Sequence, residues 1–314
     1  AFALMAAGSL GSVFSLSETL TRATPLILTG LAAAVAFRAR LWNIGGEGQL
    51  YAGALAAVAV GAGAVTSPPL LLIPLVCLAG MLAGALMMLV PTALKLRFGV
   101  DEVVTTLLSN FIVVLFVSMM LDGPLQDPMG GGWPQSAPVL PEAELGRLAP
   151  QTRLHAGLLI ALAVAVLVWA VDRFTVWGFE ARAVGLNPAA ARFAGLRVGA
   201  TMLRVGALSG ALAGLAGVGE VIGLKGYLTT DLSPGFGYSG IVVAMLALLN
   251  PLGVVAGAVF LAAVFVGADS MGRALGVSTY IANLIVALAL IATLVGQMLL
   301  TWRVRLGRAA GARP

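Results

Sequence analysis

The chain has 314 residues, of which 60% are hydrophobic and only 10% are charged, and its mean hydropathy is +1.03. A soluble domain needs a far more charged surface, so this composition excludes a soluble globular protein. Apolar runs of about 20 residues recur along the chain and predict an all-α, polytopic bundle of transmembrane helices. The formal net charge of +5 does not indicate a nucleic-acid partner, because the basic residues are spread among loops. The first partner that we infer is therefore the lipid bilayer.

Residues able to do chemistry are scarce. Cys77 is the only cysteine and lies inside an apolar run, so a disulfide within the chain is excluded. The only histidine, His155, lies beside a predicted loop, and we interpret it as structural. The sequence lacks a nucleotide-binding loop of the G-x-x-x-x-G-K-[ST] type. We therefore expect a chain that is not an enzyme, with no catalytic residue, no metal and no bound cofactor.

The apolar runs predict the order of the spans. Residues 1–23 hold several serines, and we interpret them as an interfacial segment or loop. We expect Pro25 to open the first span. The expected spans cover residues 24–41, 50–65, 70–91, 103–121, 156–171, 202–222, 239–249, 252–268 and 279–300. This gives eight to nine spanning segments, because 239–249 is too short to cross a bilayer core of about 30 Å as a helix rising about 1.5 Å per residue.

Two connections within this single transmembrane domain, residues 1–314, are long and polar. Residues 122–155 are rich in proline and glycine, and we expect an extracytoplasmic loop with one short helix near 142–148. Residues 172–204 carry five arginines, and we expect them to be cytoplasmic. If sides alternate from there, five of the 18 lysines and arginines lie outside, namely Arg22, Arg147, Arg153, Lys225 and Arg273. This orientation places the C-terminus in the cytoplasm and residue 1 outside, so we expect a further span before residue 1.

A short helix with clear end signals lies in the basic connection. Asn187 is a good N-cap, Pro188 suits the first helical position, alanines including Ala190 and Ala191 propagate the helix, and Gly195 can stop it. A helix of this length spans nothing, so it predicts a knob presented to a partner at the membrane surface. The alternative is an ordinary cytoplasmic loop held in place by its arginines.

A polar, glycine-rich stretch follows the first span. Asn43, Glu47 and Gln49 lie beside apolar runs, and an ionisable group at membrane depth is a functional candidate. A broken helix here would expose backbone groups to a translocation path. The alternative is a cytoplasmic hairpin turn, which the neighbouring arginines favour. Glu220, at the end of its span, has the same ambiguity.

Other residues within the spans have simpler interpretations. Gly206, Gly210 and Gly214 repeat every four residues, which predicts a helix face for close packing. Asn110, Asn283 and Gln297 are isolated polar residues that either line a path or bond to a neighbouring helix. We favour the second for each, while keeping Asn110 and Asn283 with the 43–49 residues as candidates for the path.

Three stretches resemble one family. TPLILTGLAAAVAFRARLWNIGGEGQLYAGALAA (24–57), RAVGLNPAAARFAGL (182–196) and GFGYSGIVVAMLALLNPLGVVAGA (235–258) are similar to ABC-importer permeases for nucleosides and simple sugars. These permeases belong to the wider ribose and branched-chain amino-acid permease group. The middle stretch resembles the coupling segment of that group, with its pattern at Gly185, Asn187, Ala190, Ala191, Ala194 and Gly195.

The resemblance implies a BtuC-like type II importer fold in a bacterial cytoplasmic (inner) membrane. It also implies a second permease subunit, the same or different, ABC ATPase subunits that carry ATP and Mg, and a substrate-binding protein. The coupling contacts to the ATPase would come from Glu180, Gly185, Asn187, Pro188, Ala190, Ala191 and Gly195. The implied solute is a nucleoside, with a ribose-like sugar as the alternative.

Two other functional classes fit less well. An ion-coupled secondary transporter would need buried acidic pairs at mid-membrane and often has an internal repeat. Only Glu47 and Glu220 suit that role, and no convincing repeat is visible. The lack of a His, Asp or Glu cluster argues against a membrane-embedded enzyme. A passive channel is the remaining alternative.

Overall fold

The computed structural model describes residues 2–276 and isolated positions between 280 and 299, and over these positions the chain forms helices and no β-strand. The helices are α1 (Phe2–Leu10), α2 (Val13–Arg38), α3 (Gly46–Gly61), α4 (Pro69–Phe98), α5 (Glu102–Leu121), α6 (Gly157–Phe174), α7 (Val176–Leu186), α8 (Pro188–Phe193), α9 (Val198–Gly219), α10 (Phe236–Leu246) and α11 (Pro251–Leu275). A π-helical turn, Glu220–Lys225, continues α9.

Six helices in the described part of the chain are long and apolar enough to cross a bilayer. They are α2, α4, α5, α6, α9 with its π-helical turn, and α11. The helices α3 and α10, with 16 and 11 residues, are shorter. The expected total of eight to nine spans is not established, and most of the last expected span, 279–300, lies outside the described residues. The all-helical, polytopic architecture agrees with the prediction.

The interpretation of residues 1–23 as an interfacial segment or loop is wrong as to the loop, because residues 2–23 are almost entirely helical. The helix α2 begins at Val13, where the Ser12 hydroxyl caps it by accepting from Ser15 N at 3.0 Å. Pro25 lies inside this helix instead of opening it. The hydroxyls that suggested a loop bond to carbonyls of their own helix, such as Thr21 Oγ1 to Ser17 O at 2.8 Å. Hydroxyl groups whose hydrogen bonds are made within their own helix are compatible with a buried helix.

The bundle has two distinguishable ends. At one end, which we call the basic end, the Asp172 carboxylate at the end of α6 pairs with Arg38 of α2 and Arg182 of α7. At the other, which we call the loop end, residues 122–156 cover the helix ends. There Leu140 N donates to Gly61 O and Leu145 N to Ile222 O, each at 2.8 Å.

The loop itself is less helical than expected. A single 3-10 turn, Pro141–Ala143, replaces the predicted helix at 142–148. The reason is that backbone groups in this stretch bond across to the helix ends instead of to one another. His155 is 1% exposed, its Nδ1 accepts from Gly157 N, and burial lowers its pKa to about 4. It packs against Gly223, which agrees with a structural role.

The helix α9 lies at the centre of the bundle, and its glycines allow the neighbouring helices to pack closely against it. A Cβ at Gly210 would meet Gly84 O of α4, and a Cβ at Gly214 would meet Gly80 O, in both cases at less than 3.0 Å. On its other side, α9 packs against Gly53 of α3, where an added Cβ would collide with the α9 backbone. The predicted close-packing face at 206, 210 and 214 is thus confirmed.

The helix α10 enters the bundle at mid-depth and runs to the basic end. Its residue Gly240 packs on Thr29, near the middle of α2, and Leu249 beyond its end lies beside Arg38. Eleven residues rising about 1.5 Å each cover about half of a bilayer core. The segment 226–235 connects the loop end to this half-helix, and Tyr51 OH donates to its Thr230 O at 2.7 Å. The expectation that 239–249 is too short to cross agrees with this arrangement.

We expect Gly214→Ala to destabilise the protein by about 1–3 kcal/mol, because the new methyl group meets backbone that cannot rotate away. The measurement is the thermal midpoint of the purified protein in detergent. Gly219→Ala is the matched control on the same helix, since its Cβ would meet nothing within 4 Å. Equal midpoints for both variants would contradict this packing.

Candidate functional site

Buried polar side chains connect the α2–α3 turn to the neighbouring helices. Asn43 Nδ2 donates to Gln49 Oε1 and to Ser209 Oγ of α9, both at 2.8 Å. Asn43 Oδ1 accepts from Gln49 Nε2 and from Gly45 N, both at 2.9 Å. Ser209 in turn donates to Ala32 O at 2.7 Å. The two amides therefore pair with each other and fix the turn against α9.

Asn110 of α5 holds the same turn from the opposite side. Its Oδ1 accepts from Gly48 N at 2.8 Å, and its Nδ2 donates to Ile44 O at 2.9 Å. The Nδ2 group also lies 3.1 Å from Tyr238 OH on α10. A single amide thus joins α5, the turn and the half-helix.

Glu47 makes the contact that positions α10. Its Oε2 accepts from Gly237 N, in the first turn of α10, at 2.7 Å. Ser233 Oγ accepts from Phe236 N at 2.9 Å and from Gly235 N at 3.2 Å. An acceptor, and especially a carboxylate, is favourable here because the first N–H groups of a helix have no partner within it. Glu47 is 6% exposed, so this cap lies inside the protein.

The structure brings together four of the residues predicted for a path: Asn43, Glu47, Gln49 and Asn110. Asn43 and Gln49 bond to each other, whereas Glu47 and Asn110 bond to backbone groups. The gap beside Gln49 and Thr106 has no room for water. The stretch 41–45 is an irregular turn, with α3 beginning directly after it. Asn283, the fifth residue, lies outside the described positions. Lining of the path by these residues stays a prediction.

Sequence reasoning missed two members of this cluster. Ser209 is the polar residue inside the small-residue run of α9, a signal that could have identified it. Tyr238 directly follows Gly237 in the broken stretch, but nothing in its local sequence points to Asn110. Its role depends on α10 entering at mid-depth.

We expect Glu47→Ala to lower stability by about 1–3 kcal/mol, because it leaves the buried Gly237 N–H without an acceptor. Glu47→Gln keeps an acceptor oxygen and should lose less. The thermal midpoint in detergent checks both variants, with Glu142→Ala on the exposed loop as the control. An alanine variant as stable as the control would show that the cap contributes nothing.

The predicted knob is present at the basic end. Asn187 Oδ1 accepts from Ala189 N at 3.0 Å and from Ala190 N at 3.1 Å, and Pro188 occupies the first turn of α8. Gly195 follows with a φ of +85°, which side-chain-bearing residues rarely adopt. The end signals of α8 were therefore interpreted correctly, although the helix has only six residues.

The knob is mounted on α7, a helix that the sequence did not predict. A Cβ at Gly185 would collide with Arg38 O, so α7 lies directly on the end of α2. Glu180 Oε2 lies 3.3 Å from Thr201 Oγ1 and 3.7 Å from Arg204 Nη1, both on α9. Glu180 and Gly185 therefore hold α7 against the bundle, and their expected role in coupling to the ATPase stays a prediction.

The outer face of the knob is apolar and uncovered. Phe193 is 97% exposed and Leu186 is 76% exposed, whereas Ala191 is 5% exposed and packs with Val184 and Val198. Exposed apolar surface of this kind is typical of sites that contact another protein or the membrane. The structure places Asn187, Pro188, Ala190 and Gly195 on the exposed side of this knob.

A cavity of about 660 Å³ opens near the loop end, between α2, the π-helical turn, segment 226–235 and α11. We call it the outer cavity. Its volume lies in the range of about 300–1,000 Å³ that is usual for small-molecule sites. Acidic and basic side chains line it together with Leu232, Pro234 and Phe236. Within the described residues, no group of three or more His, Cys, Asp or Glu residues could hold a metal ion.

Residues 15–302 match the family described as branched-chain amino acid transport system / permease component. The chain is 37% identical to the glucose ABC transporter permease protein of Haloferax volcanii, with 97% of this chain and 82% of the relative covered. It is 36% identical to the guanosine ABC transporter permease protein of Bacillus subtilis, with 90% and 82% covered. A nucleoside ABC transporter permease protein of Lactococcus lactis subsp. cremoris is 34% identical, with 84% and 74% covered.

These comparisons confirm the resemblance drawn from residues 24–57, 182–196 and 235–258. The ATPase of such a transporter is a separate subunit, so this chain is not an enzyme. Together with the helical bundle and its knob, the match over nearly the whole length shows that the chain belongs to the permease components of the branched-chain amino acid transport family and is the permease subunit of an ABC importer.

Proposed function

We propose that this permease imports a nucleoside across the cytoplasmic membrane and provides half of the translocation path. The partner subunits in this proposal are a second permease, ABC ATPases that bind ATP and Mg, and a protein that delivers the solute to the loop end. The C-terminus then lies in the cytoplasm with the knob. The observation that carries the proposal is this knob, a capped helix with an uncovered apolar face.

The knob is suited to transmit movement from the ATPase. Phe193 and Leu186 supply an apolar contact, and the Asn187 cap fixes the helix that presents Phe193. The mount is stiff, because α7 touches the end of α2 through Gly185 and reaches α9 through Glu180. A displacement of the knob therefore acts on the two helices that hold the α2–α3 turn.

The solute is inferred from the relatives and from the outer cavity. Two of the relatives described above are permeases for guanosine or nucleosides. The mixture of acidic, basic and apolar groups in the outer cavity suits a neutral polar molecule. The second candidate is a simple sugar, which the similarity to the glucose permease of Haloferax volcanii favours.

The path proposed for the solute passes the half-helix α10. In the conformation of the structure, Glu47 and Asn110 hold the N-terminal part of α10 closed against the turn. Opening of this contact would expose the polar groups of Asn43, Glu47, Gln49 and Asn110. Asn283 belongs to the same proposal as a residue of the path.

We expect Phe193→Ala to reduce uptake by at least tenfold, because it removes most of the apolar face offered to the ATPase. Asn187→Ala, which removes the cap, and Gly195→Ala, which strains a left-handed residue, should also uncouple ATP hydrolysis from uptake. Uptake and ATPase activity are measured together in reconstituted complexes. Phe98→Ala is the matched control, since Phe98 is 72% exposed but belongs to α4 and not to α7 or α8. Unchanged coupling in all three variants would overturn the role of the knob.

The solute is tested by uptake. The full transporter is expressed in cells that lack nucleoside uptake, and ATP-dependent entry of labelled guanosine, ribose and glucose is compared. Entry of guanosine that disappears in the Asn187→Ala variant supports the proposal. Entry of ribose or glucose without guanosine would favour the second candidate, a simple-sugar permease. If an assembled complex takes up none of the three compounds, both candidate functions are contradicted.

A further inference from the structure

The charged groups of the outer cavity are balanced, with four acidic and four basic side chains in its lining. Three acid–base pairs account for most of them: Arg22 Nη1 with Asp269 Oδ2 at 2.6 Å, Arg153 Nε with Glu18 Oε1 at 2.9 Å, and Lys225 Nζ with Asp231 Oδ1 at 3.5 Å. Balanced charge does not attract ions of one sign. The cavity is therefore suited to a solute without net charge.

Glu220 is the acidic residue of this lining that has no partner. The residue is 3% exposed and lines the cavity, and among the described residues its carboxyl group has neither a hydrogen bond nor an ion pair within 4 Å, so that only the longer-range charges of Lys225 and Arg22 act on it. It belongs to the π-helical turn that continues α9, an irregularity often found at functional sites. Because Glu220 lines the cavity and makes no hydrogen bond to the described protein, its carboxyl oxygens are available to a ligand in the cavity.

We propose that the outer cavity binds the hydroxyl-bearing sugar part of the solute, and that Glu220 accepts hydrogen bonds from two adjacent hydroxyl groups. This inference rests on the proposed function, because it takes the solute to be a nucleoside or a sugar. Both solute classes carry neighbouring hydroxyls on a ring. A carboxylate offers two oxygens side by side and forms stronger hydrogen bonds than a neutral acceptor.

The remaining lining fits the rest of such a solute. Leu232, Pro234 and Phe236 form an apolar wall in the same cavity, and an aromatic ring can stack on the flat face of a base or a sugar. Phe236 is also the first residue of α10 and directly precedes Gly237, whose N–H donates a hydrogen bond to Glu47. A solute in the outer cavity would thus contact the closed half-helix directly.

The test compares a ribonucleoside with its 2′,3′-dideoxy analogue in the Glu220→Gln permease. In the unaltered transporter the ribonucleoside should be taken up more efficiently. We expect Glu220→Gln to reduce this preference about tenfold or more, the loss typical of a hydrogen bond to a charged group. Glu142→Gln, on the exposed loop, should leave the preference unchanged. The same binding protein delivers both compounds to every variant, so its own selectivity cancels when the preferences are compared.

Other results would overturn the role of Glu220. If Glu220→Gln lowers uptake of both compounds equally, or of neither, the carboxyl does not recognise the hydroxyls. If the unaltered, assembled complex transports no nucleoside and no sugar, the proposed function itself fails. The two failures are distinguishable, since the first requires a complex that still transports.

A second measurement keeps Glu220 in place, in case its replacement prevents assembly. Ser15→Cys, at the lining of the cavity, is introduced into Cys77→Ala permease and labelled with a membrane-impermeant maleimide in the full complex with its binding protein. The ribonucleoside should slow labelling at least threefold more than the dideoxy analogue. Equal labelling rates with both compounds would contradict the proposal.

Discussion

The cap that Glu47 provides for α10 is the interaction on which the centre of this permease depends. A helix that begins halfway through a bilayer has N–H groups that neither its own turns nor water can satisfy. Glu47 and Ser233 accept three of these bonds, at Gly237, Phe236 and Gly235. Without them the break in the helix at mid-depth would be too costly to keep. The carboxylate of Glu47 thus has a structural reason to lie among the spans, because it accepts a hydrogen bond from the backbone N–H of Gly237.

The glycines of α9 make that cap geometrically possible. Close contact with α3 and α4 brings the backbone of α9 near enough for Ser209 to reach both Asn43 and Ala32 O. The turn between α2 and α3 is then fixed on all sides, and Glu47 leaves it pointing at α10. The small residues allow the helices to approach closely, and the polar residues form hydrogen bonds across the resulting short distance.

The sequence predicted what depends on local chemistry. The end signals of α8 at Asn187 and Gly195, and the glycine face of α9, follow from neighbours in the chain and appear as expected. The start of α2 was mispredicted, because hydroxyls such as that of Thr21 are polar in sequence yet satisfied within their own helix. The partners that Asn110 and Glu47 find on α10, Tyr238 and Gly237, could not be foreseen, since they are more than 120 residues away and depend on where that half-helix enters the bundle.

The knob and the outer cavity are connected through the same turn. Gly185 below α8 rests on Arg38 O at the end of α2, and the turn that follows carries Glu47 to the start of α10. The next contact is Phe236, which faces the cavity. Each of these contacts is tight, because a missing Cβ or a hydrogen bond of 2.7 Å leaves little room for movement within it. If the knob transmits force as proposed, these tight contacts would pass it from α2 to α10. Because Gly240 of α10 also packs directly on Thr29 of α2, the half-helix and α2 would then move together.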